Sequence, residues 1–249
     1  MPNSQNRIDY SGIKALYKAS TLGVVFIASA RAPKGIFFLF EEISLKPRAI
    51  IALNGAVTYI NGKIINKIAM PREIVEKIIN NYKDDVEIWL YSESEWFSTN
   101  TNSKFCAKEA SGVGFEPQPI DKFSNNTEVL KMTLLSDNWD NLEIPRYLLN
   151  SKISVSSSNV GYKEIYSSDA GKYKAMYNII NHLNIDNPFI FAIGDSDNDI
   201  DILKKADFSC TVGNATGKAK QYSKFCSDRY YGEGALDCIL KFIKSITEV

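Results

Sequence analysis

Long hydrophobic runs and an excess of charge of either sign are both missing from this sequence of 249 residues. Its longest apolar stretches, residues 22–28 and 189–193, are far shorter than the roughly 18 residues that a membrane-spanning helix needs. The 29 basic residues are balanced by 29 acidic ones, and no basic cluster indicates binding to nucleic acid. The polar start of the chain has no pattern of a secretory signal. We therefore expect a cytoplasmic protein, monomeric or homodimeric, that binds neither nucleic acid nor membrane.

Cysteine and histidine are also scarce. The four cysteines show no Cys-x-x-Cys spacing, so we expect buried free thiols in a reducing compartment. The single histidine, His182, lies at the end of a predicted helix, where we expect a solvated cap and not a catalytic base.

Short apolar runs alternate with helical patterns at both ends of the chain. The runs are residues 24–28, 49–53, 189–193 and 208–212, and helical spacing occurs at 8–20, 34–43, 172–183, 199–205 and 235–246. Such runs between helices are typical of a parallel sheet that is covered on both faces. The pattern predicts an α/β fold with a doubly wound parallel-sheet, Rossmann-like core, formed by residues 1–68 and 159–249.

The middle of the chain has a different pattern. A hairpin is predicted around Asn61-Gly62, at the end of the first core segment. After it come a helix at 72–82, a strand at 86–91, an irregular Ser/Asn-rich stretch, a strand at 128–135, a helix at 137–149 and a strand at 152–156. Helices mixed with antiparallel strands predict a separate α+β domain, inserted into the core over residues 69–158.

The strongest chemical signal is the sequence Gly-Asp-Ser-Asp-Asn-Asp at residues 194–199, directly after an apolar strand. Ligands of open α/β sheets bind at the carboxyl ends of the strands. Carboxylates this close together repel one another, and a hard cation such as Mg²⁺ compensates for that repulsion. The alternative is an acidic cluster that only caps the following helix.

This turn resembles the fourth motif of haloacid dehalogenase-type phosphatases, in particular the Cof-like subgroup with a large inserted cap domain. The resemblance extends over nearly the whole chain. It implies that Asp195 and Asp199 hold Mg²⁺ and that Asn198 supports the site and contacts phosphate.

The second motif of that family is a Thr or Ser at a strand end that binds the transferring phosphoryl group. Ser29 occupies this place, followed by Ala30 and Arg31, where the family usually has Thr-Gly-Arg. The resemblance implies catalytic and substrate-binding roles for Ser29 and substrate binding by Arg31. By itself, a Ser after a strand is also a common helix cap.

The third motif is a Lys that neutralises the nucleophile and the phosphate, and the stretch 164–175 resembles its surroundings. Lys172 is the matching residue, and Lys174 is the weaker candidate. A Lys at a helix start opposes the helix dipole, which favours a functional role over a solvated surface Lys.

Two shorter matches complete the resemblance. Asn54-Gly55-Ala56 resembles a loop that faces the substrate, so we interpret Asn54 and Gly55 as candidate substrate contacts. Gly213-Asn214-Ala215 resembles a turn behind the metal site, and we expect a structural role for Asn214. Both segments are also consistent with turns that only need Gly geometry.

The family's first motif, Asp-x-Asp-Gly-Thr, does not occur in the 249 residues. Its first Asp is the nucleophile and its second the general acid and base. Asp9 has no strand before it and lies too close to Ser29, so we expect the motif to lie upstream of Met1. The competing interpretation is a pseudoenzyme or a truncated product with a phosphate site and no turnover.

The resemblance as a whole implies hydrolysis of a small phosphorylated metabolite, with a sugar phosphate as the default, through an aspartyl-phosphate and with Mg²⁺ as cofactor. Cap aromatics are candidate walls of the substrate site: Trp89, Tyr91, Trp96 and Phe97. A catalytically inactive binding or regulatory protein of the same fold is the alternative from a different functional class. Phosphotransfer to a second substrate is a third possibility, without any mark of a second phosphate site.

Overall fold

The computed structural model describes residues 2–3, 7–41, 43–124, 126–137, 144, 152–157 and 161–247. The helices in these ranges are α1 (Tyr10–Leu22), α2 (Pro33–Phe40), α3 (Arg72–Tyr82), α4 (Lys104–Val113), α5 (Lys172–His182), α6 (Ile200–Lys205), α7 (Gly217–Gln221) and α8 (Tyr231–Thr247). The strands are β1 (Phe26–Ala28), β2 (Ala49–Ala52), β3 (Val57–Ile60), β4 (Lys63–Lys67), β5 (Glu87–Tyr91), β6 (Trp96–Ser98), β7 (Gln118–Pro119), β8 (Lys131–Leu135), β9 (Ile153–Ser156), β10 (Tyr162–Ser167), β11 (Phe191–Gly194), β12 (Phe208–Thr211) and β13 (Phe225–Cys226). No helix in these ranges combines the length and the apolar character that crossing a bilayer requires.

The α/β core is built from two sets of parallel strands joined by helices. In the first set β1 and β2 run parallel, and β2 continues into the antiparallel strands β3 and β4. Asn61 and Gly62 form the tight turn of that hairpin, both at positive φ, as the Asn-Gly sequence predicts. In the second set β11, β12 and β13 are all parallel. The predicted α/β fold is therefore confirmed.

The same two helices cover both strand sets. On one side, apolar residues of α5 share a cluster with Phe26 and Ala28 of β1 and with Ile190, just before β11. On the other side, α1 packs through Ala15 and Ala19 in a cluster with β11, and its other apolar residues share a cluster with β1. Because α1 and α5 contact both sets, we infer that β1 and β11 are the neighbouring strands of the two sets.

Within the described ranges β1 and β11 share no ladder, and each strand has one edge without a strand partner, which we call its inner edge. Among the described residues, β1 pairs only with β2, and β11 pairs only with β12. All three residues of β1 are partly exposed, whereas the four residues of β2 are all buried. A strand in the middle of a parallel sheet is normally buried on both faces. The exposure of β1 is that of an edge strand, which is its place in this four-stranded sheet.

A second sheet lies in the middle of the chain, and together with α3 and α4 we refer to it as the inserted domain. It has six strands in the order β7-β6-β5-β8-β10-β9, antiparallel except for β6 and β7. The sheet includes β10, which pairs with β8 and β9. The predicted division of the chain after residue 158 places β10 with the core, whereas its ladders join it to β8 and β9; the division into two domains stays a prediction.

The two faces of the six-stranded sheet have different partners. One face packs on α3 through a cluster that includes Ile78, Met132 and Phe97. The opposite face, with Trp89 and Trp96, shares a cluster with residues of the core. The Ser/Asn-rich stretch predicted to be irregular contains β6 and α4, whereas the predicted helix at 137–149 lies outside the described residues apart from residues 137 and 144.

Candidate active site

The acidic turn follows β11 and folds back on itself. The two backbone N–H groups of Asp195 and Ser196 donate to Asp199 Oδ2, at 3.0 and 3.1 Å. Gly194 is required for this close return, because a Cβ there would lie 2.6 Å from Asp199 Cβ. The turn therefore fixes the Asp199 carboxylate on its inner side.

Lys172 reaches this turn from the first position of α5. Its Nζ donates to Asp199 Oδ1 at 2.7 Å and to Asn198 Oδ1 at 2.8 Å. Both charged side chains are nearly inaccessible, with 5% of Lys172 and 11% of Asp199 exposed. Burial raises the pKa of Asp199, but the charge and hydrogen bond of Lys172 and the two backbone donors outweigh it, so the pKa is lowered. Asp199 is held as a carboxylate.

Asn54 connects the acidic turn to the strand end that carries Ser29. Asn198 Nδ2 donates to Asn54 Oδ1 at 3.2 Å, and the Asn54 backbone N–H donates to the Ser29 carbonyl at 3.1 Å. Asn54 is 1% exposed and has a positive φ of 58°. The Ser29 hydroxyl oxygen accepts the Arg31 backbone N–H at 3.1 Å. The predicted residues from β1, β2, β11 and α5 therefore meet at one edge of the core.

Asp195 opens the turn with a carboxylate that has no ion-pair partner among the described residues. Burial, and after it the charge of Asp199, raise the pKa of Asp195. Two neighbouring carboxylates, of which only Asp199 has a Lys partner, leave a negative charge that a hard divalent cation with oxygen ligands would balance. Within the described ranges, however, no three His, Cys, Asp or Glu side chains lie close enough together to hold a metal ion by themselves. Asp195 has the freer carboxylate, whereas both oxygens of Asp199 already accept hydrogen bonds.

Two charged residues that the sequence analysis did not select lie above this edge, on the inserted domain. Lys131 on β8 and Glu164 on β10 form an ion pair of 2.9 Å with 4% and 5% of their side chains exposed. Glu164 Oε2 accepts from Asn54 Nδ2 at 2.8 Å, and Lys131 Nζ donates to the carbonyl of Ala30 at 2.8 Å. Neither strand has a sequence pattern that reveals which of its charges are buried: β8 reads Lys-Met-Thr-Leu-Leu and β10 reads Tyr-Lys-Glu-Ile-Tyr-Ser.

Arg31 and Gly55 have contacts of their own. Arg31 Nη1 donates to the Gly112 carbonyl of α4 at 2.7 Å, so its guanidinium points toward the inserted domain. Burial lowers the pKa of Arg31, with the charge of Glu109 opposing that effect. Gly55 lies against the backbone of Gly171, at the start of α5.

Replacing Gly55 by Ala is expected to lower the free energy of unfolding by about 3 kcal/mol or more, from strain at positive φ combined with overpacking. A Cβ on Gly55, at φ +95°, would lie 2.5 Å from the Gly171 carbonyl oxygen. Gly62→Ala is the matched control, since Gly62 has φ +75° with nothing within 4 Å of a Cβ. It should cost only about 1 kcal/mol. Urea unfolding measures the free energy of unfolding of both variants. Equal losses would show that the close approach of residue 55 to the Gly171 backbone is not the cause.

The weaker candidates lie outside the cluster. Lys174 Nζ donates to the Ser168 carbonyl on the surface. Asn214 Oδ1 accepts the Tyr231 backbone N–H at the start of α8, the structural role expected for it. His182 is exposed at the last position of α5, and Cys226 is exposed, unlike the other three free cysteines.

The sequence of residues 2–239 matches the family described as haloacid dehalogenase-like hydrolases. The 5-amino-6-(5-phospho-D-ribitylamino)uracil phosphatase of Bacillus subtilis is 24% identical over 253 residues, covering 90% of this chain and 87% of that protein.

Solved structures share the fold. A haloacid dehalogenase-like hydrolase from B. subtilis superposes with a TM-score of 0.81 at 18% identity, covering 96% of this chain and 94% of the other. A sugar phosphatase of haloacid dehalogenase subclass IIB superposes with a TM-score of 0.78 at 23% identity, with 95% and 92% covered.

Proposed function

The chain belongs to the haloacid dehalogenase-like hydrolase family, and on that premise we propose that it forms the body of a Mg²⁺-dependent phosphatase for a small phosphomonoester. The observation that carries the proposal is the contact of Lys172 Nζ with both Asn198 and Asp199 at the carboxyl end of β11. A buried ammonium beside carboxylates, at the ligand-binding edge of an α/β sheet, is suited to a phosphate and a cation together.

The nucleophile of the proposed reaction belongs to a further strand between β1 and β11. Alternate residues of a strand direct their backbone groups to the same side. The Ser29 N–H donates to a carbonyl of β2, so the backbone N–H and C=O groups of Phe26 and Ala28 point to the other, inner edge. The Ile190 carbonyl accepts from the Phe208 N–H of β12, so the backbone groups of Phe191 and Ile193 likewise point to the inner edge. A strand between these edges pairs with both, and its carboxyl end lies beside Lys172. This supports the expectation of an Asp-x-Asp-Gly-Thr segment ahead of Met1.

In this mechanism an aspartate of the further strand attacks phosphorus and displaces the alcohol, which takes a proton from the second aspartate of the motif. Water then hydrolyses the aspartyl-phosphate. Lys172 has three N–H donors, of which two go to Asn198 and Asp199; among the contacts of the described residues the third is left for a phosphoryl oxygen. Ser29 Oγ accepts from Arg31 and, within the same residues, keeps its own proton for a second oxygen.

Mg²⁺, when bound at Asp195 and the further strand, supplies positive charge against the phosphoryl oxygens. Asp199 keeps the turn in place through its bonds to Asp195 N, Ser196 N and Lys172. Asp199 thus contributes to the site chiefly by orientation, and Asp195 by direct ligation.

The substrate in this proposal is a small phosphorylated metabolite with a hydroxyl-rich leaving group, such as a sugar phosphate. The subclass IIB sugar phosphatase among the solved relatives supports this choice.

We expect inorganic phosphate to bind the chain in the presence of Mg²⁺, and removal of the metal with EDTA to abolish that binding. Asp195→Asn should weaken phosphate binding by about tenfold or more, because a charged ligand of the cation is lost. Titration calorimetry measures both effects, with Asp201→Asn, an exposed carboxylate in the first turn of α6, as the control. Phosphate affinity that is unchanged by EDTA and by Asp195→Asn would refute the metal site.

A second candidate function is a binding or regulatory protein that holds a phosphorylated ligand and Mg²⁺ without turnover. The absence of Asp-x-Asp-Gly-Thr from the 249 residues favours it. Both candidates predict the phosphate titration described above. They differ in the effect of adding a strand that bears the motif: the phosphatase should then hydrolyse a phosphomonoester, and the binding protein should not.

A further inference from the structure

A single line of hydrogen bonds runs from the inserted domain to the acidic turn. It starts at Glu164 Oε2, which accepts from Asn54 Nδ2 at 2.8 Å. It continues from Asn54 Oδ1 to Asn198 Nδ2 at 3.2 Å, and from Asn198 Oδ1 to Lys172 Nζ at 2.8 Å. The four side chains come from β10, the loop after β2, the turn after β11 and α5.

The direction of the line is fixed by its two ends. An ionised carboxylate only accepts hydrogen bonds, and an ammonium only donates them. Glu164 therefore holds Asn54 with its Nδ2 toward the inserted domain and its Oδ1 toward Asn198. Asn198 must then donate to Asn54 and accept from Lys172, which is the orientation observed. If either amide turned over, two donors or two acceptors would face each other.

The ion pair of Lys131 with Glu164, at the start of the line, is not explained by a gain in stability. Lys131 and Glu164 are almost wholly buried, and the loss of hydration offsets most of their attraction. What the pair does provide is attachment: Lys131 bonds the Ala30 carbonyl and Glu164 bonds Asn54, so two strands of the inserted domain hold two loops of the core.

We propose that Glu164 is a positioning residue, through which contact of the inserted domain with the core sets the orientation of Asn54, Asn198 and Lys172. Its functional weight rests on the phosphatase proposal, because Asn198 and Lys172 are the groups assigned there to the phosphate. Without the Glu164 carboxylate, Asn54 loses the acceptor that fixes its amide, and phosphate is then bound less strongly.

The line itself is tested by NMR of the chain labelled with ¹⁵N-asparagine. Glu164→Gln replaces an obligate acceptor with a group that also donates, so the side-chain amide signals of both Asn54 and Asn198 should shift. Glu128→Gln removes a carboxylate of the same domain from its exposed pair with Lys67 and should shift neither. Because Glu164→Gln leaves Lys131 without its carboxylate, Lys131→Met/Glu164→Gln is measured beside it, with the same shifts expected. An unmoved Asn198 signal in both variants would overturn the proposal.

Phosphate affinity gives a second readout. In the presence of Mg²⁺, Glu164→Gln should weaken binding of inorganic phosphate by about tenfold, the effect of one charge-assisted hydrogen bond. In an Asn54→Ala background the same substitution should have no further effect, because Glu164 acts through Asn54. Equal losses in both backgrounds would show a packing effect and contradict the proposal. If the unaltered chain binds no phosphate, the phosphatase proposal fails, while the Asn198 signal still decides whether the line exists.

Discussion

Fusing a strand that ends in Asp-x-Asp-Gly-Thr ahead of Met1 is expected to raise hydrolysis of p-nitrophenyl phosphate by about 10⁴-fold or more, because it supplies the nucleophile and the general acid. The same strand pairs with the inner edges of β1 and β11. Backbone amides of Phe26, Ala28, Phe191 and Ile193 should then exchange with solvent more slowly. Steady-state kinetics with Mg²⁺ and hydrogen exchange measure the two effects.

The matched control carries Asn in place of the first Asp of the fused motif. It should protect the same amides from exchange without hydrolysing the ester, which separates pairing from chemistry. Turnover by the unfused chain that Asp195→Ala abolishes would contradict the assignment of the nucleophile to a further strand. Protection and phosphate binding without activity in the fused protein would favour the non-catalytic candidate.

Local patterns in the sequence predicted many of the helices and strands well. The helix predicted at 72–82 has the bounds of α3, and the Asn-Gly turn joins β3 to β4 as expected. Helix α4 was missed in a stretch that reads as irregular because of its Ser and Asn residues. Its signals are in the caps: Ser103 accepts from the Cys106 backbone N–H, and Gly114 ends the helix in the left-handed region.

Some residues of the candidate site can be identified from short stretches of sequence, whereas others are brought together only by contacts between distant parts of the chain. The acidic turn and Lys172 could be found because each lies in a short stretch with a recognisable sequence. Lys131 and Glu164 could not, since they meet through the pairing of β8 with β10 and contact loops more than 100 residues away. The internal role of Asp199 was also not predictable, because it depends on how the turn folds back onto its own backbone.

Lys172→Met is expected to lower the free energy of unfolding by about 3–5 kcal/mol, because it leaves the Asp199 carboxylate buried without its partner. Urea unfolding measures this loss, and Lys174→Met is the matched control. Lys174 lies two residues away on the same helix and bonds only to the surface carbonyl of Ser168 among the contacts of the described residues. Its replacement should cost less than about 1 kcal/mol.

A double variant tests whether the unpaired Asp199 carboxylate causes the loss of stability. If an uncompensated carboxylate causes the loss, Lys172→Met/Asp199→Asn should be more stable than Lys172→Met alone, because the neutral amide is cheaper to bury. Inorganic phosphate should bind neither variant, since both lack the ammonium assigned to the phosphoryl oxygen. A stable Lys172→Met protein that binds phosphate with Mg²⁺ as tightly as the original would remove Lys172 from the site. It would also break the link between the acidic turn and the phosphate on which the proposed chemistry depends.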